Sequence, residues 1–341
     1  MTEHSKIDPQ DGKPAGKNSL LERATEHFGL GKLDGAKVPD TLAPPPAKRL
    51  RKTRRVTDQP TASEAAPKAS PVETPVDAAP VSAAAEPAAP LPRIAFTGKR
   101  QTIDRDALRE NGFVLPEDGA TRLAEEVRIV KRQVLQSMRD HQTAAPVGKS
   151  QRVLVCSPLP GEGKTFTSVN LALSLAAEKD IEVVLVDADF AKPSILSTLG
   201  MTGKTGLMDA LSDPAIAVED CVLSTDIDSL FVLPAGARSN SDSEYLSSNR
   251  TAQVLDRLTQ GAPDRIVIFD SPPALAASPA AELADHVAQA LLIARADSTG
   301  QSALEDAAVL LSDCADIKLV LNAAHFSPSG RRFGDYYGYG E

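Results

Sequence analysis

Hydrophobic residues are unevenly distributed along this chain, and the unevenness separates what folds from what connects. Four- to six-residue apolar runs stand out at Val153–Cys156, Ile181–Val186, Ser229–Leu233, Arg265–Phe269, Ala290–Ala294 and Ile317–Leu321. Between them lie segments with apolar residues at helical spacing: Phe166 to Ala177, Thr251 to Leu258 and Ala303 to Leu311. Continuous apolar strands alternating with helices predict a parallel sheet covered on both faces, because a strand buried on both sides has no polar face to show. Upstream, Leu123, Val127, Val130 and Val134 recur at helical spacing within Thr121 to Leu135, a helix that packs one side on the core. Its other faces carry Glu125, Arg128 and Lys131, three residues apart. That spacing suits ion pairs within the helix and equally an intersubunit contact.

The first hundred residues follow another pattern. Residues 31 to 100 hold most of the Pro and Ala excess and few aromatics, so they cannot bury enough apolar surface to offset chain entropy. The expected division is a mostly disordered Pro/Ala-rich region over 1–104, a folded domain over 105–326 and a flexible tail over 327–341. Inside the Pro/Ala-rich region a single short helix is predicted near 18–29. Ser19 can cap it, Glu22 stands three places on, and Leu20, Leu21, Ala24 and Phe28 share a face. The basic run Lys48-Arg49-Leu50-Arg51-Lys52-Thr53-Arg54-Arg55 could touch anionic lipid or nucleic acid. It has no interleaved aromatics and sits in the linker, which favours a solvated charge run.

The candidate chemistry sits at strand ends. Pro158-Leu159-Pro160-Gly161-Glu162-Gly163-Lys164-Thr165 joins the first apolar strand to the following helix. Backbone N–H groups of such a loop and the positive helix end face a nucleotide's phosphates, with Lys164 reaching the β/γ-phosphates and the Thr165 hydroxyl holding Mg²⁺. Pro158 stands where a strict phosphate loop has Gly. Two further strands end in carboxylates, Val184-Leu185-Val186-Asp187-Ala188-Asp189 and Ile266-Val267-Ile268-Phe269-Asp270. Phosphoryl transfer needs a metal-holding carboxylate at a strand end and a base near the acceptor. Asp270 suits the first role and Asp187 or Asp189 the second; a strand-end Asp also suits capping of the next helix.

These motifs resemble those of the bacterial tyrosine kinases of the polysaccharide co-polymerase system, from about Thr121 to the end. Pro160–Thr165 is similar to their Walker A, Leu185–Asp189 to their Walker A′, and Val267-Ile268-Phe269-Asp270-Ser271-Pro272-Pro273 to their Walker B. Leu233–Gly236 and Ser243–Leu246 are further similar stretches, and Ser19–Ala24 with Arg122–Glu126 resembles a subgroup encoded with exosortase-linked exopolysaccharide loci. The resemblance implies an α/β fold of the P-loop NTPase type: a parallel sheet with helices on both faces. It implies ATP and Mg²⁺ as cofactors, held by Gly161, Glu162, Gly163, Lys164, Thr165 and Phe166, with Asn322 near the adenine. Lys164, Asp187, Asp189 and Asp270 would be catalytic: Asp187 orients or deprotonates a tyrosine hydroxyl, and Thr165, Asp187, Asp189 and Asp270 serve the metal. Glu125, Arg128 and Lys131 match the family's ring-contact motif, with Lys replacing its last Arg. Ala191 stands where the family usually has Arg.

Three of the four tyrosines lie in the last six residues, at Tyr336, Tyr337 and Tyr339, spaced by Gly338 and Gly340. The resemblance makes this cluster the autophosphorylation substrate of a neighbouring subunit in a homo-oligomeric ring. It also implies a membrane polysaccharide co-polymerase partner, a cognate tyrosine phosphatase, and a role in exopolysaccharide polymerisation or export. Two alternatives are a partitioning or cell-division ATPase switch, which would carry a second lysine where Leu159 stands, and a nucleotide-bound adaptor that has lost catalysis.

Composition narrows the setting. The net charge of −9 argues against a general nucleic-acid binder. Cys156, Cys221 and Cys314 are odd in number and set in apolar contexts, as buried thiols of a reducing compartment. No run approaches a membrane span, so the expected location is the cytoplasm, with recruitment to the inner membrane through a partner.

Overall fold

The computed structural model describes residues 91–142, 148–239 and 241–324. The expected helix near 18–29, the basic run and the tyrosine tail lie outside the described residues. Eight strands form one sheet: β1 (Arg100–Gln101), β2 (Arg152–Cys156), β3 (Glu182–Asp187), β4 (Leu223–Thr225), β5 (Leu230–Leu233), β6 (Arg265–Asp270), β7 (Gln289–Arg295) and β8 (Asp316–Asn322). Their spatial order is β1-β4-β5-β3-β6-β2-β7-β8. Every neighbouring pair is parallel except β4 and β5, which run antiparallel. The six apolar runs are the six longest strands. The two short strands were not anticipated, and the antiparallel β4–β5 pair departs from the expected all-parallel sheet. A four-residue connection between Thr225 and Leu230 leaves room for a reversal but not for a parallel crossover.

Period-two burial divides the core. Val153, Val155, Val183, Leu185, Ile266, Ile268, Leu291 and Ile293 face one side. Leu154, Cys156, Val184, Val186, Val267, Phe269, Ala290 and Leu292 face the other. The first layer is covered by α1 (Arg105–Glu110), α2 (Arg122–His141), α3 (Lys164–Ala176) and α4 (Ile195–Leu199). The second is covered mainly by α5 (Leu207–Ser212), α6 (Val218–Cys221), α7 (Asp242–Leu246), α8 (Asn249–Thr259), α9 (Pro279–Ala284) and α10 (Gln301–Leu310). All three cysteines are buried and unbridged. No helix among the described residues is long and apolar enough to cross a membrane.

Helix α2 shows how sequence becomes position. Thr121 stays extended and its hydroxyl accepts from Ala124 N, satisfying one orphan donor of the first turn. Val134 and Met138 are buried, while Glu125 and Arg128 pair with each other along a half-buried flank. Lys131 turns inward instead: its ammonium donates to Ser174 O at 3.0 Å and pairs with Glu178 at 2.6 Å, both at the α3 side. Of the three residues expected to contact a neighbour, Lys131 is thus committed to its own chain. Spacing alone could not show that, because the neighbouring helix decides which flank is covered.

The packed chain also begins before the expected boundary at residue 105. Arg93 pairs with Glu182 and Asp264, Phe96 packs edge-on against Phe231 at 5.1 Å between centroids, and Ile103 is buried. Arg265, itself 1% exposed, donates to Ile94 O and Leu258 O and pairs with Glu182 at 2.9 Å. Its guanidinium also lies 4.0 Å over the Phe96 ring. Residues 91–104 form a strap from the strand beginnings of β3 and β6 to the outer edge of the sheet.

Candidate active site

Strand β2 ends at Cys156 and the chain turns into the glycine-bearing loop. Gly161 and Gly163 both take positive φ, at 80° and 95°. A side chain at 163 would also strike Asn322 Nδ2 at 2.0 Å, so glycine is required there twice over. The loop is braced from inside. Glu162, 3% exposed, accepts from Leu159 N at 2.7 Å and from the Thr299 hydroxyl. Asn322 Nδ2 donates to Glu162 O at 2.9 Å. Pro158 fits without the glycine of a strict phosphate loop: its carbonyl accepts from Leu275 N at 3.3 Å, and Ala274 N bonds Ser157 O. The segment after β6 therefore holds the first half of the loop.

Helix α3 starts at Lys164 with its first amides unpartnered by a capping side chain, which leaves the positive helix end available to an anion. The Thr165 hydroxyl donates to Asp270 Oδ2 at 2.6 Å and lies 3.3 Å from Ser194 Oγ. Ser168, one turn on, donates to Asp270 Oδ1 at 3.0 Å. Ser168 was not anticipated, although its place on the Thr165 side of the helix was a readable signal. Ser194 had none, since a loop folds it back.

Asp187 and Asp270 are direct neighbours across β3 and β6. Asp187 Oδ2 accepts from Ser194 N at 2.8 Å and Ile195 N at 2.9 Å, and Oδ1 accepts from Asp189 N at 3.3 Å. It therefore caps the short helix α4 and faces the site at once. Burial pushes its carboxyl up to about 6, against the pull of the Ile195 and Ser194 amides. Burial also pushes Asp270 up to about 7, with the Thr165 hydroxyl pulling down and the Asp187 charge pushing further up. Asp189 instead closes a local turn, accepting from Lys192 N at 3.0 Å.

The structure thus gathers Gly161, Gly163, Lys164, Thr165, Asp187 and Asp270 where β2, β3 and β6 end, the expected ligand edge of an α/β sheet. Two further expected nucleotide contacts lie at the edge of this cluster. Phe166 packs on Phe113, 5.0 Å between centroids, beside an apolar recess lined by Leu123, Val127, Val130 and Val320. The Asn322 amide is engaged by the loop, at the mouth of that recess. Among the described residues no cluster of three or more His, Cys, Asp or Glu could cage a metal. One hydroxyl and one carboxylate 2.6 Å apart fit Mg²⁺, which keeps waters and takes phosphate oxygens rather than filling a protein cage.

Known proteins agree with this geometry. Residues 155–324 match the family model described as an AAA domain. The tyrosine-protein kinase YwqD of Bacillus subtilis is 30% identical over 162 residues, 48% of this chain and 67% of that protein. The tyrosine-protein kinase ptk of Acinetobacter johnsonii is 28% identical over 175 residues, 50% of this chain but only 23% of ptk, so the chain spans under a quarter of that relative. In fold, the chain resembles the kinase domain of the Escherichia coli tyrosine kinase ETK with a TM-score of 0.50 and 21% identity, over 66% of this chain and 91% of that one. On the match to YwqD, 30% identical over 67% of that protein, the chain belongs to the bacterial tyrosine-protein kinases.

Proposed function

We propose that this protein is an ATP-dependent protein-tyrosine autokinase whose acceptors are Tyr336, Tyr337 and Tyr339 of its own kind of tail. The observation that supports this most is the pairing of a Thr165–Asp270–Ser168 cluster with a second buried carboxylate, Asp187, on the next strand. The loop amides and Lys164 hold the triphosphate. Thr165 and Asp270 would hold Mg²⁺, which would supply charge neutralisation at the β/γ-phosphates. Asp187 receives the proton of the incoming tyrosine hydroxyl as its oxygen bonds to the γ-phosphorus and the bond to ADP breaks. A carboxyl raised to about 6 suits that role, since a base works best when its pKa approaches the working pH. Glu162 and Asn322 serve the loop's shape, and Asp189 supports the Asp187 turn.

On this reading the tail is delivered to a neighbouring subunit in a ring, with Glu125 and Arg128 on the half-buried flank of α2 as contacts. The relatives' kinship supports an exopolysaccharide setting: a membrane co-polymerase recruits the kinase, a phosphatase resets it, and phosphates of roughly −1.5 to −2 charge each loosen the ring. The kinase domain takes in the strap over 91–104 and runs on to about 326, with the Pro/Ala-rich region before it and the tyrosine tail over 327–341 after it.

The test is phosphotyrosine mapping by mass spectrometry after incubation with ATP and Mg²⁺, in a host lacking other tyrosine kinases. Wild type acquires tail phosphate; Lys164→Met and the triple Tyr→Phe variant at 336, 337 and 339 do not. Tail phosphate persisting in Lys164→Met refutes the autokinase reading.

A further inference from the structure

The strap ahead of the expected domain reaches the acid-bearing side of the site by a specific route. Gln101, on the two-residue strand β1, uses its side-chain amide as a backbone would. Nε2 donates to Thr202 O at 2.7 Å and Oε1 accepts from Thr202 N at 2.9 Å. Three residues on, Asp104 N donates to Leu199 O at 3.0 Å. Gly200, with φ of 69°, lies so close that a side chain there would meet Asp104 Cβ at 2.6 Å. Asp226 anchors the strap in turn, accepting from Ile103 N at 3.0 Å and pairing with Arg105. The segment Leu199–Thr202 is therefore gripped at three points by residues 101–104.

That segment starts at the last residue of α4 and runs on through its left-handed cap Gly200, with Met201 N bonded back to Leu196 O. The near end of the helix is Ser194 and Ile195, whose amides hold Asp187 Oδ2. Five helical residues span about 7.5 Å, too short to bend, so a shift at one end is delivered to the other. The same segment walls a cleft: Asp187, Leu196, Met201, Thr202, Lys204 and Pro234 line it together. Gly203 closes the fit, since a Cβ there would lie 3.1–3.2 Å from Leu223, Pro234 and Leu196 side chains. Of these groups Ser194 meets the phosphate loop, its Oγ 3.3 Å from the Thr165 hydroxyl.

We infer that Gln101 is a positioning residue for the acceptor side of the site: through Thr202 and α4 it sets the place of Asp187 and the width of the cleft beside it, and it bears less on the nucleotide side, met through the Ser194–Thr165 hydroxyl contact. This rests on the kinase reading for the cleft's occupant, an incoming tyrosine, and on geometry alone for the coupling. Loss of the two amide bonds frees the cleft wall, and small misplacements at a reacting centre are costly in rate.

The test compares full-length wild type with Gln101→Ala and Gln101→Glu, using a synthetic peptide of residues 331–341 as acceptor. The expected result is an acceptor KM raised about tenfold in Gln101→Ala, the scale of one or two lost hydrogen bonds. The KM for ATP stays within twofold, and Gln101→Glu, which keeps one of the two bonds, falls between. In parallel, hydrogen exchange at the Ser194, Ile195 and Thr202 amides speeds up in Gln101→Ala while exchange over 165–169 is unchanged. An acceptor KM within twofold of wild type, or both KM values rising together, overturns the inference. If wild type transfers no phosphate to the peptide, the kinase reading fails first; the exchange arm then decides the coupling, and unaltered exchange at Ser194 and Ile195 sinks it.

Discussion

Strands β3 and β6 carry a charged pair at each end, and the two pairs are opposites. At their start, Glu182 lies beside Arg265; at their finish, Asp187 lies beside Asp270. The first pair is complementary and reinforced: Arg93 bridges Glu182 and Asp264, and backbone carbonyls of Leu258 and Ile94 take the remaining Arg265 donors. The second is two acids side by side, both nearly out of solvent and both raised in pKa. The same stretch of sheet thus uses one end for holding together and keeps the other in a charge state that a cation and a proton would relieve. Buried charges satisfied from within mark structure; buried charges left for a visitor mark a site.

Three substitutions press on this contrast. The largest effect belongs to Arg265→Met, which breaks the satisfied end. It strands the Leu258 and Ile94 carbonyls and weakens the grip on the strap, costing about 3–5 kcal/mol in chemical denaturation, the usual scale for breaking a buried charged pair. A loss below about 1 kcal/mol, the scale of an exposed pair, would show that the cluster does not hold this end.

Asp270→Asn acts on the other end with the opposite sign. The Asp270 carboxyl in the folded protein stands near 7, above the unfolded value of about 3.9. Its contribution to stability is therefore full below about pH 4 and lost as pH rises through 7. Without nucleotide, wild type should be less stable at pH 8 than at pH 5 through this group. Asn removes that dependence, so the variant gains on the order of 2 kcal/mol at pH 8, and the gain shrinks towards pH 5. Melting curves at pH 5, 6.5 and 8 check it, and a difference that stays flat with pH contradicts the assignment.

The smallest effect on stability is expected from Arg128→Ala on α2. Its pairing with Glu125 is a half-buried i, i+3 contact near the surface, worth about 0.3–1 kcal/mol. Sedimentation should nevertheless show weaker self-association, because this flank is the proposed contact. Unchanged association would move the ring interface elsewhere.

Much of this contrast could be read in the sequence, and the unread remainder has a physical cause. Asp187 and Asp270 announced themselves because each closes a continuous apolar run, which is how a fully buried strand looks. The Gly161–Thr165 loop was legible because its residue types are dictated by backbone conformation and phosphate charge. Arg265 was read only as the first residue of a strand; its role comes from partners at 94, 182 and 258, which no local pattern connects. Strands β1 and β4 escaped because two and three residues have no periodicity, and Arg100-Gln101 gains its strand character from pairing with β4 alone. Gln101 and Ser194 escaped for the same reason: each matters through a partner that no local pattern connects to it, Thr202 backbone for Gln101 and the Asp187 carboxylate and Thr165 hydroxyl for Ser194.

The hold of Asn322 on Glu162 has one more consequence. It plants the end of the last strand on the phosphate loop, so whatever follows sets out from beside the site. From Asn322 to Tyr336 an extended chain covers up to about 50 Å, ample for a return to the site it left. On the proposed reading the tail acts as a tether, which at that length would supply its end at roughly millimolar local concentration. On that reading a ring then works as a crowding device, raising neighbours' tails to a level that competes with the protein's own. Dilution would change which tail is used, and the reaction order in protein would report the switch.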